Sequence, residues 1–342
     1  IGQLFWGPVA DRIGRRLPLF IGIVLFIIGS VGCALAQSMD TLVLWRFFQA
    51  LGACVGPMLS RTMIRDLYGP QEAARMLSTL VMIMAIAPIL GPMLGGLLLK
   101  VSGWQANFWL LTAIGVVMFL AACRLPETLP AEKRATGSLA SAFRAYGPLL
   151  RNRAYMRTTL CVTFFYVAIY AFIAGSPFVY LTYFGLDSNW YGPLFGVNIL
   201  GVVVLSAANR RLLQRCSLAQ MLKVSTRIAA VAALLLSAFA LTGVGGLWGI
   251  VLPIFAVFSM NGIIAACCNA ASLASVDSQS AGSAAALMGA LQYGSGMVSS
   301  LLLAAFSTGT PGTMSVVITA FVVLSMLMVQ GSPVSPPPAP AR

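Results

Sequence analysis

Histidine is absent from this 342-residue chain, and acids are scarce, eight in all against 21 lysines and arginines. The usual neutral-pH general base and imidazole metal ligand is therefore missing. Charged residues make up only 8% of the chain, where a soluble domain carries roughly 25%. That excludes a water-soluble globular domain. The seven cysteines show no CxxC and no other paired metal-ligand spacing. Most of them (Cys33, Cys54, Cys161, Cys267, Cys268) fall within apolar runs, where cysteine behaves as a small buried hydrophobe. Strict alternation of polar and apolar residues over about ten positions is also lacking, which argues against a membrane β-barrel.

Long apolar runs are what the chain has. It is 59% hydrophobic, with a mean hydropathy of +0.91. A helix needs about 20 mostly apolar residues to cross a hydrocarbon core of ~30 Å. On that criterion full spans are expected at about 17–36, 41–60, 77–100, 104–123, 155–181, 191–209, 222–242, 247–274, 281–306 and 312–330, with residues 1–9 as the tail of another. The expected class is an all-α polytopic membrane protein.

The net charge of +13 points to membrane orientation and not to nucleic acid, because the cations are gathered in alternate connections. Segments 7–16, 61–76, 124–154, 209–227, 275–280 and the C-terminus, with Arg157 at the start of the following span, hold every lysine and arginine except Lys100 and Arg46. Those segments are expected on the cytoplasmic side, leaving short neutral connections such as "AQSMD" (36–40) opposite. The longest connection, 124–154, separates a partial set of spans (1–123) from six spans (155–330). Two halves of six are the natural repeat for a transporter. The expectation is then that a first helix and part of a second lie upstream of Ile1. The tail 331–342, "GSPVSPPPAPAR", has prolines and little to bury, and reads as disordered.

Three motifs stand out. "GPVADRIGRR" (7–16) packs charge between apolar runs in an ordered pattern, Gly7, Asp11, Arg12, Gly14, Arg15 and Arg16. Gly14 permits a tight reversal, and Asp11 can accept from arginines or from a helix start. "LVLWRFFQALGA" places Arg46 about 8 Å into a span with Gln49 one turn on. An intramembrane cation either snorkels to the surface or faces a partner or cavity. "APILGPMLGG" (87–96) carries Gly91, Pro92, Gly95 and Gly96, a proline kink beside small residues. GxxxG spacing by itself says little here, since Gly52/Gly56 and Gly192/Gly196 share it.

These motifs resemble those of the major facilitator superfamily: the signature loop between its second and third helices, the arginine of its fourth, and the Gly-Pro element of its drug antiporters. With "MIRDLY" (63–68), "GWQANFW" (103–109), "PETLP" (126–130), "SPFVY" (176–180) and "AGSAAALMGALQYG" (281–294), the chain is similar to the Bcr/CflA branch of drug:proton antiporters. The resemblance implies a major facilitator fold of two six-helix halves in the bacterial inner membrane, monomeric and using no cofactor beyond the proton gradient. It implies a conformational latch at 7–16 and a proton-coupling role for Arg46 and Gln49. One departure is that the second half carries only an echo of the latch, "AANRRLLQR" (207–215), with Asn209 where Asp11 would fall.

All eight acids (Asp11, Asp40, Asp66, Glu72, Glu127, Glu132, Asp187, Asp277) fall in connections or at span ends. Proton coupling would therefore need an acid upstream, where the resembled branch has one. Polar and aromatic residues within spans are the substrate-cavity candidates: Tyr166, Tyr170, Asn198, Asn261, Asn269, Gln292 and Tyr293. Such groups suit amphipathic drug-like molecules of the bicyclomycin, chloramphenicol or sulfonamide type. A nutrient symporter of the same fold is the nearest alternative. A membrane enzyme would need clustered nucleophiles, acids or metal ligands, which the spans lack.

Overall fold

A computed structural model describes residues 2–68, 94–130, 146–276 and 281–330, with isolated positions between them. The expected element from 77 to 100 is described only in part, residues 94–102 being helical. Thirteen further helices are described. They are α1 (Gly2–Ile13), α2 (Arg16–Ala34), α3 (Met39–Ala53), α4 (Val55–Leu67), α5 (Gln105–Ala122), α6 (Tyr146–Arg151) and α7 (Arg153–Pro177). After a π-helical turn, Phe178–Tyr183, come α8 (Ser188–Leu212), α9 (Leu218–Thr242), α10 (Gly246–Ser259), α11 (Asn261–Ala274), α12 (Ala281–Ala305) and α13 (Pro311–Gln330). Nine helices among the described residues are long and apolar enough to cross a membrane, with α3–α4 and α10–α11 each counting as one interrupted span.

Starts and stops follow local chemistry. Ser38 and Ser217 form capping boxes with Thr41 and Gln220, and the Asn152 side chain accepts from the N–H groups of Ala154 and Tyr155 to open α7. Two boundaries differ from expectation. The charged knot is not a free connection: α1 runs through Asp11 and Arg12 to Ile13, and only Gly14 and Arg15 separate it from α2. The apolar run ended early, but the hydrogen-bonded turns did not. The connection 124–154 likewise holds α6 and the first residues of α7.

The chain divides into two compact units, Ile1–Arg144 and Ala145–Arg342. In the first, a core of Trp6, Ala10, Leu19, Ile23, Val55, Leu59, Met63 and Ala122 joins α1, α2, α4 and α5. Glycines on α2 and α3 let these helices approach until backbone meets backbone: a Cβ at Gly52 would overlap the Gly22 carbonyl and the Phe26 amide of α2. In the second unit α7 is the hub, packed on α11, α12 and α13. Short polar links tie it to each of them. Thr158 Oγ1 lies 2.7 Å from Ser272 Oγ, the Tyr155 hydroxyl donates to Ala284 O at 2.6 Å, and Ser325 Oγ donates to Cys161 O at 2.7 Å. Interhelical bonds of this kind hold bundles together where lipid removes the hydrophobic drive between helices.

Candidate functional site

The charged knot is the most built site in the first unit. Gly14 adopts φ +99°, a left-handed conformation that favours glycine, and this turns α1 into α2. Arg15 follows it and is only 7% exposed. A buried guanidinium needs partners, and Arg15 has two. Nη1 donates to Asp11, one turn back on α1, and Nε donates to Asp66 Oδ2 on α4 at 3.1 Å. Thr128 Oγ1 donates to the same Asp66 oxygen at 3.5 Å.

Glu127 completes the cluster from the segment after α5. Its carboxylate accepts from the backbone N–H of Arg15 (2.8 Å), Arg16 (3.2 Å) and Leu129 (3.0 Å). Two of these are free donors at the start of α2, so Glu127 caps that helix from 112 residues away. Partial burial works against its charge, but the backbone donors of Arg15, Leu129, Arg16 and Thr128 together outweigh it and hold the carboxyl below the ordinary glutamate range. Arg16 donates from Nη2 to Cys123 O at 3.0 Å and lies over the Phe20 ring. The arrangement joins α1, α2, α4 and the end of α5 through charge-assisted bonds.

Of the six expected latch residues, the structure thus brings Asp11, Gly14, Arg15 and Arg16 together. Arg12 is half-buried and takes no part in these ion pairs, and Gly7 sits on α1 facing the Met58 sulfur. Sequence reasoning missed Asp66, Glu127 and Thr128 as members. "MIRDLY" and "PETLP" each hold a lone acid at a span end on the expected cytoplasmic side, and that was the available signal.

Arg46 and Gln49 also meet. Arg46 Nη1 donates to Gln49 Oε1 at 2.7 Å, Gln49 Nε2 donates to Ser30 Oγ at 2.7 Å, and Ser30 Oγ donates to Phe26 O at 2.7 Å. Gln49 is 3% exposed, while the exposed Arg46 guanidinium lies 5.8 Å from the Phe108 ring centre. This chain ties an intramembrane cation of α3 to the backbone of α2.

Pro92 lies outside the described residues. A Cβ at Gly91 or Gly96 would meet none of them, and one at Gly95 would meet Asn107 Oδ1 at 3.4 Å.

The cavity candidates sort into two groups. Tyr166 and Tyr170 of α7 pair with ring centres 6.0 Å apart, and α12 reaches them at Gly296, where a Cβ would meet the Tyr170 ring at 3.4 Å. Gln292, beside Tyr293, buries its Nε2 without a hydrogen-bond partner. By contrast, Asn198 and Asn269 donate to carbonyls of their own helices, Leu194 O at 3.0 Å and Ala265 O at 2.7 Å. Asn261 opens α11, with its Oδ1 buried and unpartnered. A five-ring cluster went unnoticed in the sequence: Phe172, Tyr180, Tyr191, Phe195 and Phe258 join α7, the π turn, α8 and α10, with Phe172 stacked on Phe195 at 5.8 Å.

A family model described as Major Facilitator Superfamily matches residues 1–300. The chain belongs to the Major Facilitator Superfamily. Members of this superfamily are transporters and not enzymes. Among its relatives, an uncharacterized MFS-type transporter, YdgK, of Bacillus subtilis is 41% identical over 59% of this chain and 51% of its own length. A bicyclomycin resistance protein homolog of Haemophilus influenzae is 25% identical over 95% of this chain and 82% of its own length. The multidrug transporter MdfA of Yersinia pestis is 29% identical over 65% of this chain and 54% of its own. The chain thus spans about half the length of two of these curated relatives. Among solved structures, a D-xylose-proton symporter matches with a TM-score of 0.74 at 16% identity, over 97% of this chain and 84% of that one. The inward-open xylose transporter XylE of Escherichia coli matches with a TM-score of 0.73, also at 16% identity, over 97% and 83%. At that identity the two show the major facilitator fold alone.

Proposed function

We propose that this facilitator is a proton-coupled drug efflux transporter of the bacterial inner membrane, moving amphipathic antibiotic-like molecules by alternating access. The observation that carries the reading is the full-length character of one match: the bicyclomycin resistance homolog aligns with 95% of this chain and 82% of itself. The chemistry of the second unit supports it. Tyr166, Tyr170, Gln292 and Tyr293 offer rings and amide groups without a fixed charge, which suits apolar neutral or cationic molecules.

In this reading the knot of Asp11, Gly14, Arg15 and Arg16, braced by Asp66 and Glu127, is the conformational latch. Arg46 and Gln49 take part in proton coupling. The Gly91–Gly96 element with Pro92 is the antiporter motif. The transporter works as a monomer in the lipid bilayer, with the proton gradient as its energy source and no cofactor. Segment 7–16, the 124–154 connection and the C-terminus face the cytoplasm.

The test is proton release on ligand binding. The protein is purified in weakly buffered detergent. Bicyclomycin, chloramphenicol, a sulfonamide and a lipophilic cation are then added in turn while pH is followed. Proton release with one or more of them is expected. No release with any, together with proton-coupled uptake of a sugar or acid into vesicles, would replace the reading with a nutrient symporter.

A further inference from the structure

The second unit carries a charge imbalance that the transport reading does not use. Between Asp187 and Asp277 the sequence has no acid, yet it has five cations: Arg210, Arg211, Arg215, Lys223 and Arg227. All five lie along the linked ends of two consecutive helices. Arg210 and Arg211 occupy the last turn of α8, Arg215 lies in the short connection after it, and Lys223 and Arg227 follow on α9. None of the five forms an ion pair among the described residues, where the recorded pairs both belong to Arg15.

Arg227 separates this patch from an ordinary solvated rim. It lies nine residues beyond Leu218, about 14 Å along the axis at 1.5 Å per residue. The 25 residues of α9 span about 37 Å, against a hydrocarbon core of ~30 Å. With α9 centred on that core, Arg227 lies about 10 Å inside it. Its side chain is exposed on a face shared with Val224, Ile228 and Val231, all exposed and apolar, as a lipid-facing stripe is. A cation on such a stripe is costly unless an anion meets it or it snorkels toward one. Among the described residues the helices around it supply none: α9 packs on α10, α11 and α13, and neither these helices nor α8 contain an acid. Lys223, one turn nearer the helix end, continues the path toward the three arginines. The N-terminus of α9 adds its own partial positive charge there.

We propose that the α8–α9 end is a binding site for an anionic phospholipid. The headgroup phosphate is held by Lys223 and Arg227 with Arg210, Arg211 and Arg215 around it, and the acyl chains lie along Val224, Ile228 and Val231. The surrounding bilayer supplies this occupant, and its charge complements the only kind of charge the region has.

Native mass spectrometry of the purified 342-residue chain tests this, with phosphatidylglycerol titrated against phosphatidylcholine. The expected result is tighter binding of phosphatidylglycerol, weakened roughly fivefold for each cation removed in a Lys223→Gln/Arg227→Gln variant. Arg227→Lys should restore most of the loss caused by Arg227→Gln. If the double variant does not fold, Arg210→Gln/Arg211→Gln at the exposed helix end carries the same expectation. Equal binding of the two lipids would overturn the proposal, as would undiminished phosphatidylglycerol binding in the variants. Displacement of phosphatidylglycerol by millimolar inorganic phosphate would overturn it as well, because the occupant would then be a soluble anion.

Discussion

At Gly14 two constraints meet in one residue: a left-handed backbone at φ +99° and a Cβ position already taken by the Glu127 carboxylate. Gly14→Ala therefore meets strain and displaces the brace. We expect it to lower stability by about 1–2 kcal/mol from the backbone term alone, read as a lower unfolding temperature in detergent. Glu127 gives a second expectation, in pH. Its folded pKa lies below the ordinary glutamate value, so its contribution is fully present above that value and is lost as pH falls through the folded one. Thermal stability should decline on acidification between about pH 5 and pH 3, and Glu127→Gln should flatten that part of the profile. The carboxylate is exposed, so solvent screening keeps the effect small. Gly14 could be named from the sequence as a turn glycine, whereas its pairing with Glu127 could not. Periodicity relates a residue to those three or four positions away, and it has nothing to say about one 113 positions away.

For whole elements, the informative comparison is between two glycines on one interrupted span. Gly52 and Gly56 share GxxxG spacing, and the sequence cannot rank them. Gly52 ends up against the α2 backbone, while a Cβ at Gly56 would meet nothing among the described residues. We expect Gly52→Ala to overpack the α2–α3 seam and cost about 1–3 kcal/mol, with Gly56→Ala near neutral. Parallel thermal melts of the two variants decide it, and equal melting temperatures would contradict the described seam. The charged knot makes a related point. Hydropathy ends an apolar run at its first charges, but α1 continues through Asp11 and Arg12 because helical hydrogen bonding does not depend on apolarity. Asp11 and Arg15 come to lie one turn apart in the chain and bond across the Gly14 break.

Orientation is the prediction that belongs to the whole molecule, and native cysteines report it. Cys123 is exposed at the end of α5, and Cys216 is half-buried in the connection between α8 and α9. Both fall on the side expected to be cytoplasmic. Cys33, Cys161, Cys267 and Cys268 are buried within their helices. A membrane-impermeant maleimide should therefore label Cys123 and Cys216 in inside-out vesicles and leave them unlabelled in right-side-out vesicles. Labelling of either from the outside would reverse the assignment.

The sequence by itself determined the membrane class, the positions of most spans and the presence of the knot, the Arg46–Gln49 pair and the family resemblance. Hydropathy sums over neighbours and motifs are short, so both are complete before the chain folds. The tertiary structure decided which acids brace Arg15, that Gln49 passes its bond on to Ser30, and which cavity candidates turn back on their own helices. It also left Arg227 exposed on one face of α9 with Val224, Ile228 and Val231. Each of these depends on which helix faces which, and in a chain so uniformly apolar that choice rests on glycine contacts and a few hydrogen bonds between residues far apart in sequence.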